Sequence, residues 1–309
     1  MENTRTKTTR NSLILLLTAA IWGMAFVSQS KGMDYMHPFT FNGVRSLIGA
    51  ASILVYILIS RKIAGDKAAP LDWKLNVKAG LLCGIFLTIA STLQQFGIKY
   101  TSVGKAGFIT TLYIIFVPMF GIFLKKKVAP VVWAAAVMAA VGMYLLCMTE
   151  SLRLGAGDIM VFLCAIAFAI QIMTVDHYAA RIDGAVVSCI QFTVCGVVCC
   201  IGALIWGQPT LGQLQEGLGA VICRCFKLWC GLYLTDRRPE RTESYGGGTD
   251  HELESVIATI SGWIAYKIGF LTTDQTLTAR QIAGCVIVFA AVILVQLPPE
   301  WFRFGKKNA

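Results

Sequence analysis

The run Gly104 to Leu124, GKAGFITTLYIIFVPMFGIFL, limits what this chain can fold into more than any other stretch. It carries no charge after Lys105, holds Pro118 inside its apolar core and ends abruptly on Lys125, Lys126 and Lys127. About twenty apolar residues cross a bilayer as a helix. A proline among them is tolerated where neighbouring helices satisfy the freed carbonyl. The run therefore predicts a membrane helix. The composition of 309 residues, 56% hydrophobic and 14% charged with mean hydropathy +0.66, predicts an integral membrane protein around it.

A second run, Leu253 to Phe270, has a similar build. Tyr113 stands eight positions before Gly121, as Glu254 stands eight before Gly262, and a further apolar span follows in each case, Val128 to Met148 and Ile282 to Leu297. The chain reads as two related halves, residues 1–150 and 151–309, of five helices each. The other expected spans are Asn11 to Ser30, Pro38 to Ser60, Val77 to Phe96, Gly157 to Thr174 and Gly184 to Trp206, with an eighth span needed before Leu253. The first is long for a signal-peptide core and lacks a clear small-residue cleavage site, so it is expected to stay as the first helix.

With the N-terminus in the cytoplasm, Arg61, Lys62, Lys125, Lys126, Lys127 and Lys306 fall inside, and a smaller group including Lys31, Lys99 and Lys105 falls outside. This bias predicts ten spans with both termini cytoplasmic in a cell (inner) membrane. Five helices per half force the halves into opposite orientations, an inverted repeat of the kind secondary transporters use. The net charge of +10 is thereby assigned to membrane topology and not to nucleic acid.

Eight of the eleven cysteines, Cys195 and Cys199 among them, lie in apolar spans and read as small packing residues. Cys223, Cys225 and Cys230 have no partners at zinc spacing, so no metal is expected. Gly246 to Gly248 lacks the preceding strand and following Lys-Ser/Thr of a phosphate loop. No HExxH, no GxSxG and no paired carboxylates occur in a span, which argues against an enzyme and calls for no cofactor. A membrane-embedded enzyme or a non-transporting membrane protein is the rival reading.

Several segments in order, AAIWGMAFV (Ala19 to Val27), PFTFNGVR (Pro38 to Arg45), GKAGFITTLYIIFVP (Gly104 to Pro118), LESVIATISGW (Leu253 to Trp263) and LTARQIAGCVIVFAAVILVQL (Leu277 to Leu297), resemble the EamA-type members of the drug/metabolite transporter superfamily. The resemblance implies a basket of ten helices around a central cavity that opens alternately to the two sides. It implies a small polar or amphipathic metabolite as substrate, amino-acid-like or similar, and export as a common direction. Exchange, proton coupling and facilitated diffusion stay open, as does the oligomeric state.

One stretch departs from that pattern. Where an eighth span, a turn and the start of the ninth should lie, residues 223–252 carry Arg224, Lys227, Asp236, Arg237, Arg238, Glu240, Arg241, Glu243 and Asp250. A soluble loop is the simple reading. With free codon choice, a one-nucleotide shift from Cys223 converts the stretch into an apolar helix, a turn and a helix start that run straight into Glu254. A compensated frameshift is therefore expected. An eighth span built from Leu218 to Thr235 would insert poorly, because Arg or Lys near a helix centre costs about 2.5 to 3.5 kcal/mol.

The candidates for a substrate cavity are Trp22, Arg45, Gln94, Gln95, Tyr113, Gln191 and Glu254. Arg45 is an ionisable residue within a span and so a functional candidate, although snorkelling to the interface would also explain it. Gln94, Gln95 and Gln191 can hydrogen-bond a polar substrate, and Gln191 stands near the repeat counterpart of Arg45. Trp22 and Tyr113 can line a cavity or simply pack. Glu254 is the candidate carboxylate for a proton or a substrate amine, but at the start of its helix it would merely favour the dipole. Gly80 and Gly84 form a GxxxG expected to serve close helix packing.

Overall fold

A computed structural model describes residues 24–64, 71–124, 128, 130–147, 155–207, 209–210, 212, 249–272 and 274–296. Trp22, the first part of the first span and the expected eighth span with most of residues 223–252 lie outside the described residues. Among the described residues the regular structure is all helical, with no strand.

Helix α1 is seen over residues 24–32. It is followed by α2 (Pro38–Ala64), α3 (Trp73–Tyr100), α4 (Val103–Thr111) and α5 (Tyr113–Phe120), then a 3-10 turn (Gly121–Leu124) and α6 (Pro130–Cys147). The second half contributes α7 (Ala156–Tyr178) and α8 (Gly184–Gly202), which ends in a π turn (Ala203–Gly207), then α9 (Thr249–Lys267) and α10 (Ala279–Gln296). Among the described residues five stretches are long and apolar enough to cross a membrane: α2, α3, α4 with α5, α7, and α8 with its π turn. The helices α6 and α10 are apolar but shorter. Outward faces are oily, as Leu54, Val55, Leu58 and Ile59 of α2 illustrate. This is the surface a multi-pass membrane protein presents to lipid.

Polar caps set several helix ends beyond the apolar runs. Asp72 accepts a hydrogen bond from the Leu75 amide at 3.1 Å, so α3 begins at Trp73 instead of Val77. Asp183 accepts from the Ala185 and Val186 amides and starts α8. Thr278 and Gln281 cap reciprocally, the Thr278 amide donating to Gln281 Oε1 and the Gln281 amide to Thr278 Oγ1. The ninth span ends at Lys267, short of the expected Phe270, because Gly269 turns left-handed at φ 76° and the Phe270 amide reaches back to the Ala265 carbonyl at 2.8 Å.

The fourth span departs from the single helix expected. It breaks at Leu112, whose amide bonds Ile109 O three residues back while the Thr111 hydroxyl takes the Gly107 carbonyl at 2.7 Å. Such back-bonding bends helices. Pro118 then leaves another carbonyl without its helical partner. The ninth span also starts earlier than the expected Leu253, at Thr249, which makes Glu254 its sixth residue and not its second.

Glycines set the packing. A Cβ on Gly80 or Gly84 of α3 would meet Ile190 or Val194 of α8 at 2.7 Å, which is the close packing expected of this GxxxG. The pairs 80 with 190 and 84 with 194 rise together, so α3 and α8 run parallel. Gly43 faces Cys200 while Gly196 faces Leu47, so α2 and α8 run antiparallel. By the same reading α4 is antiparallel to α9, with Gly104 against Thr259 and Gly107 against Ser255, and α6 is antiparallel to α10. The main apolar cluster joins Ile109, Ile115, Leu146, Val161, Val288 and Val292, and so binds α4, α5, α6, α7 and α10 together.

Candidate functional site

Between α1, α2, α3, α7 and α8 the interior turns polar. On α2, Asn42, Arg45 and Ser46 occupy positions i, i+3 and i+4, one face of the helix, and all three are buried. On α3, Ser91, Gln94 and Gln95 repeat that spacing and are buried too. Asn42 Nδ2 donates to the Ser91 carbonyl at 3.0 Å, which sets the two polar faces at one level. Cys195 of α8 closes the group, its Sγ 3.5 Å from Ser46 Oγ and 3.4 Å from Ser91 Oγ.

Arg45 is 6% exposed, so it does not snorkel to the surface. Its guanidinium lies over the Phe41 ring at 5.8 Å and close enough to Cys164 and Cys195 for its charge to be felt there. A charge in such a place is costly and is retained for a reason.

Gln191 is buried on α8, and its Oε1 accepts from Gln171 Nε2 of α7 at 3.1 Å. Gln94 Nε2 donates to Thr110 Oγ1 of α4 at 3.3 Å. Tyr113, one turn beyond Thr110, is half-buried, packs against the apolar cluster and lies 6.5 Å from the Phe168 ring. Gln95 Nε2 donates to the backbone carbonyl of Gln29 on α1 at 3.2 Å. Arg45, Gln94, Gln95 and Gln191 thus belong to one buried polar seam. Tyr113 borders it through Thr110. Glu254 lies on α9, on a span that packs against α4, and its side chain is outside the described set.

Reading the sequence alone missed Gln29, Asn42, Ser46, Ser91, Gln171 and Cys195. The signal was present in the i, i+3, i+4 polar spacing on α2 and α3, which a search for charges passes over. Asp158 was missed as well. It is buried in the first turn of α7, accepts from Thr101 Oγ1 at 2.5 Å and pairs with Lys105 Nζ at 3.5 Å, tying α7 to the turn between α3 and α4. Among the described residues no group of His, Cys, Asp and Glu is placed to hold a metal ion.

Residues 10–148 match the EamA-like transporter family. A protein from Archaeoglobus fulgidus named an uncharacterized transporter is 25% identical over 289 residues, 92% of this chain and 84% of that one. The family match and the relative support an EamA-type transporter of the drug/metabolite transporter superfamily. One crystal structure shares the fold of this chain with a TM-score of 0.63 at 16% identity, over 96% of this chain and 99% of the other. Family match and relative both point to a membrane transporter rather than to an enzyme.

Proposed function

We propose that this EamA-type protein is a carrier that moves a small polar or amphipathic metabolite, amino-acid-like or similar, outward across the inner membrane by alternating access. Its two halves, residues 1–150 and 151–309, would form inverted five-helix repeats with both termini cytoplasmic. The observation that carries this reading is the buried polar seam around Arg45 in the interior of an otherwise apolar bundle. Substrate paths are where membrane proteins keep such groups.

Helix pairing supports the inverted repeat. Span two lies antiparallel to span seven, four to nine and five to ten, as α2 with α8, α4 with α9 and α6 with α10. A two-fold axis in the membrane plane brings each span against its own counterpart in this way. Within this reading Arg45, Gln94, Gln95 and Gln191 line the path, with Trp22, Tyr113 and Glu254 as further members. Glu254 is the one carboxylate proposed for proton coupling.

We also propose that residues 223–252 carry a compensated frameshift that weakens the transporter. Flux assays in proteoliposomes, on the chain as written and on a frame-restored form, test both ideas. The restored form is expected to carry substrate and the written form to carry little. Turnover of a substrate without translocation would exclude a carrier. Resequencing the gene tests the frameshift directly, since codons incompatible with the shifted reading rule it out.

A further inference from the structure

In the seam, three buried amides share an unusual imbalance. Among the described residues, Asn42 Oδ1, Gln95 Oε1 and both polar atoms of Gln29 have no hydrogen-bond partner, and all three residues are 0% exposed. Buried polar atoms left unmet cost about 1–3 kcal/mol each, so three such residues together call for an occupant.

The direction of two of these amides is fixed by their partners. Asn42 Nδ2 and Gln95 Nε2 each donate to a backbone carbonyl, Ser91 O and Gln29 O, and a carbonyl can only accept. Their oxygens are therefore true unmet acceptors. Gln29 contributes one acceptor and one donor whichever way its amide is turned. Ser91 and Gln95 are four residues apart on α3, so the Asn42 and Gln95 amides sit within one helical turn of each other, and the Gln29 backbone is held to the same turn.

The unmet set is thus three acceptors and one donor, all uncharged. Arg45 lies one turn along α2 from Asn42, and its charge disfavours a second cation such as an ammonium. An anion has no hydrogen to give the three lone-pair oxygens. A neutral group that donates through N–H and accepts through C=O satisfies the set without a buried charge.

We propose that Gln29, Asn42 and Gln95 form a subsite for a neutral carboxamide- or ureide-type group on the transported molecule. The assignment rests on the carrier reading above and names the chemistry of one part of its path. Glutamine-type amides at this place select by hydrogen-bond complementarity, with Arg45 excluding amines.

Three probes that differ only at one substituent test it: nicotinamide, nicotinate and 3-picolylamine, measured by equilibrium binding to the full-length chain in detergent. Nicotinamide is expected to bind about tenfold or more tightly than the other two, the value of one or two well-made hydrogen bonds. Gln95→Leu should remove that preference. Gln95→Glu, which offers a negative charge in the same place, should raise 3-picolylamine binding relative to nicotinamide by about tenfold, a gain that misfolding cannot produce. Nicotinate or 3-picolylamine binding as well as nicotinamide would overturn the subsite, as would an unchanged ratio in Gln95→Glu. If none of the three binds while another metabolite is carried in flux assays, the subsite falls and the carrier stands. If the frame-restored form carries no metabolite, both fall.

Discussion

Gly142 on α6 and Gly284 on α10 cross backbone to backbone: a Cβ on Gly284 would come 2.7 Å from the Gly142 carbonyl oxygen, and one on Gly142 would come 3.0 Å from the Gly284 oxygen. Neither contact is with a flexible side chain that could turn away. Both α6 and α10 are short apolar helices whose association in lipid depends on close approach. Gly284→Ala is expected to cost about 1–3 kcal/mol, as overpacking does. Thermal unfolding in detergent should show a lowered midpoint, larger than that of Gly184→Ala, where a Cβ meets nothing within 4 Å.

The pair Lys105 and Asp158 makes a second prediction. Asp158 is nearly fully buried, whereas Lys105 keeps some solvent contact. Lys105→Met would leave the carboxylate with Thr101 as its remaining side-chain partner in this group, and Asp158→Asn would leave a neutral amide that still accepts. The first substitution should therefore destabilise more than the second, by about 1–3 kcal/mol against less than that. Equal unfolding midpoints for the two variants would contradict this ordering.

His37, in the turn before α2, gives a pH dependence. Burial lowers its pKa from the ordinary value and the charge of Lys99 lowers it further. The folded state thus binds its proton more weakly than the unfolded chain does, and stability rises with pH across the interval between the two values. The contribution is complete above the ordinary histidine range, about pH 6.5, and is lost as pH falls below it. His37→Phe should flatten the stability profile just below about pH 6.5, and an unaltered profile would show that another group controls it.

Much of the fold was legible because lipid leaves few choices: runs of about twenty apolar residues become spans. Helix ends were less legible. Asp72, Asp183 and the Thr278–Gln281 pair lie just outside the apolar runs, so hydropathy stops before the helix does. The break at Leu112 follows from a local competition between the Thr111 hydroxyl and the backbone, which apolarity does not register. In the site, Arg45 and the glutamines of α3 and α8 stood out as polar residues in oily runs. Asn42, Ser46 and Ser91 did not, because small uncharged side chains become significant only when two helix faces are set against each other.

Chain direction gives the last prediction. Helix α3 and helix α8 are parallel, α4 returns antiparallel to α3 through the turn at Thr101, and α9 is antiparallel to α4. Helices α8 and α9 are therefore parallel, and the end of one and the beginning of the other stand at opposite faces of the bundle. A cysteine in place of Thr210, just past α8, and one in place of Asp250, in the first turn of α9, should react with a membrane-impermeant maleimide from opposite sides, in a background where the native cysteines are replaced. Ten spans require that result. Labelling of both from the same side would mean an even number of crossings between them, and with it the loss of the inverted repeat.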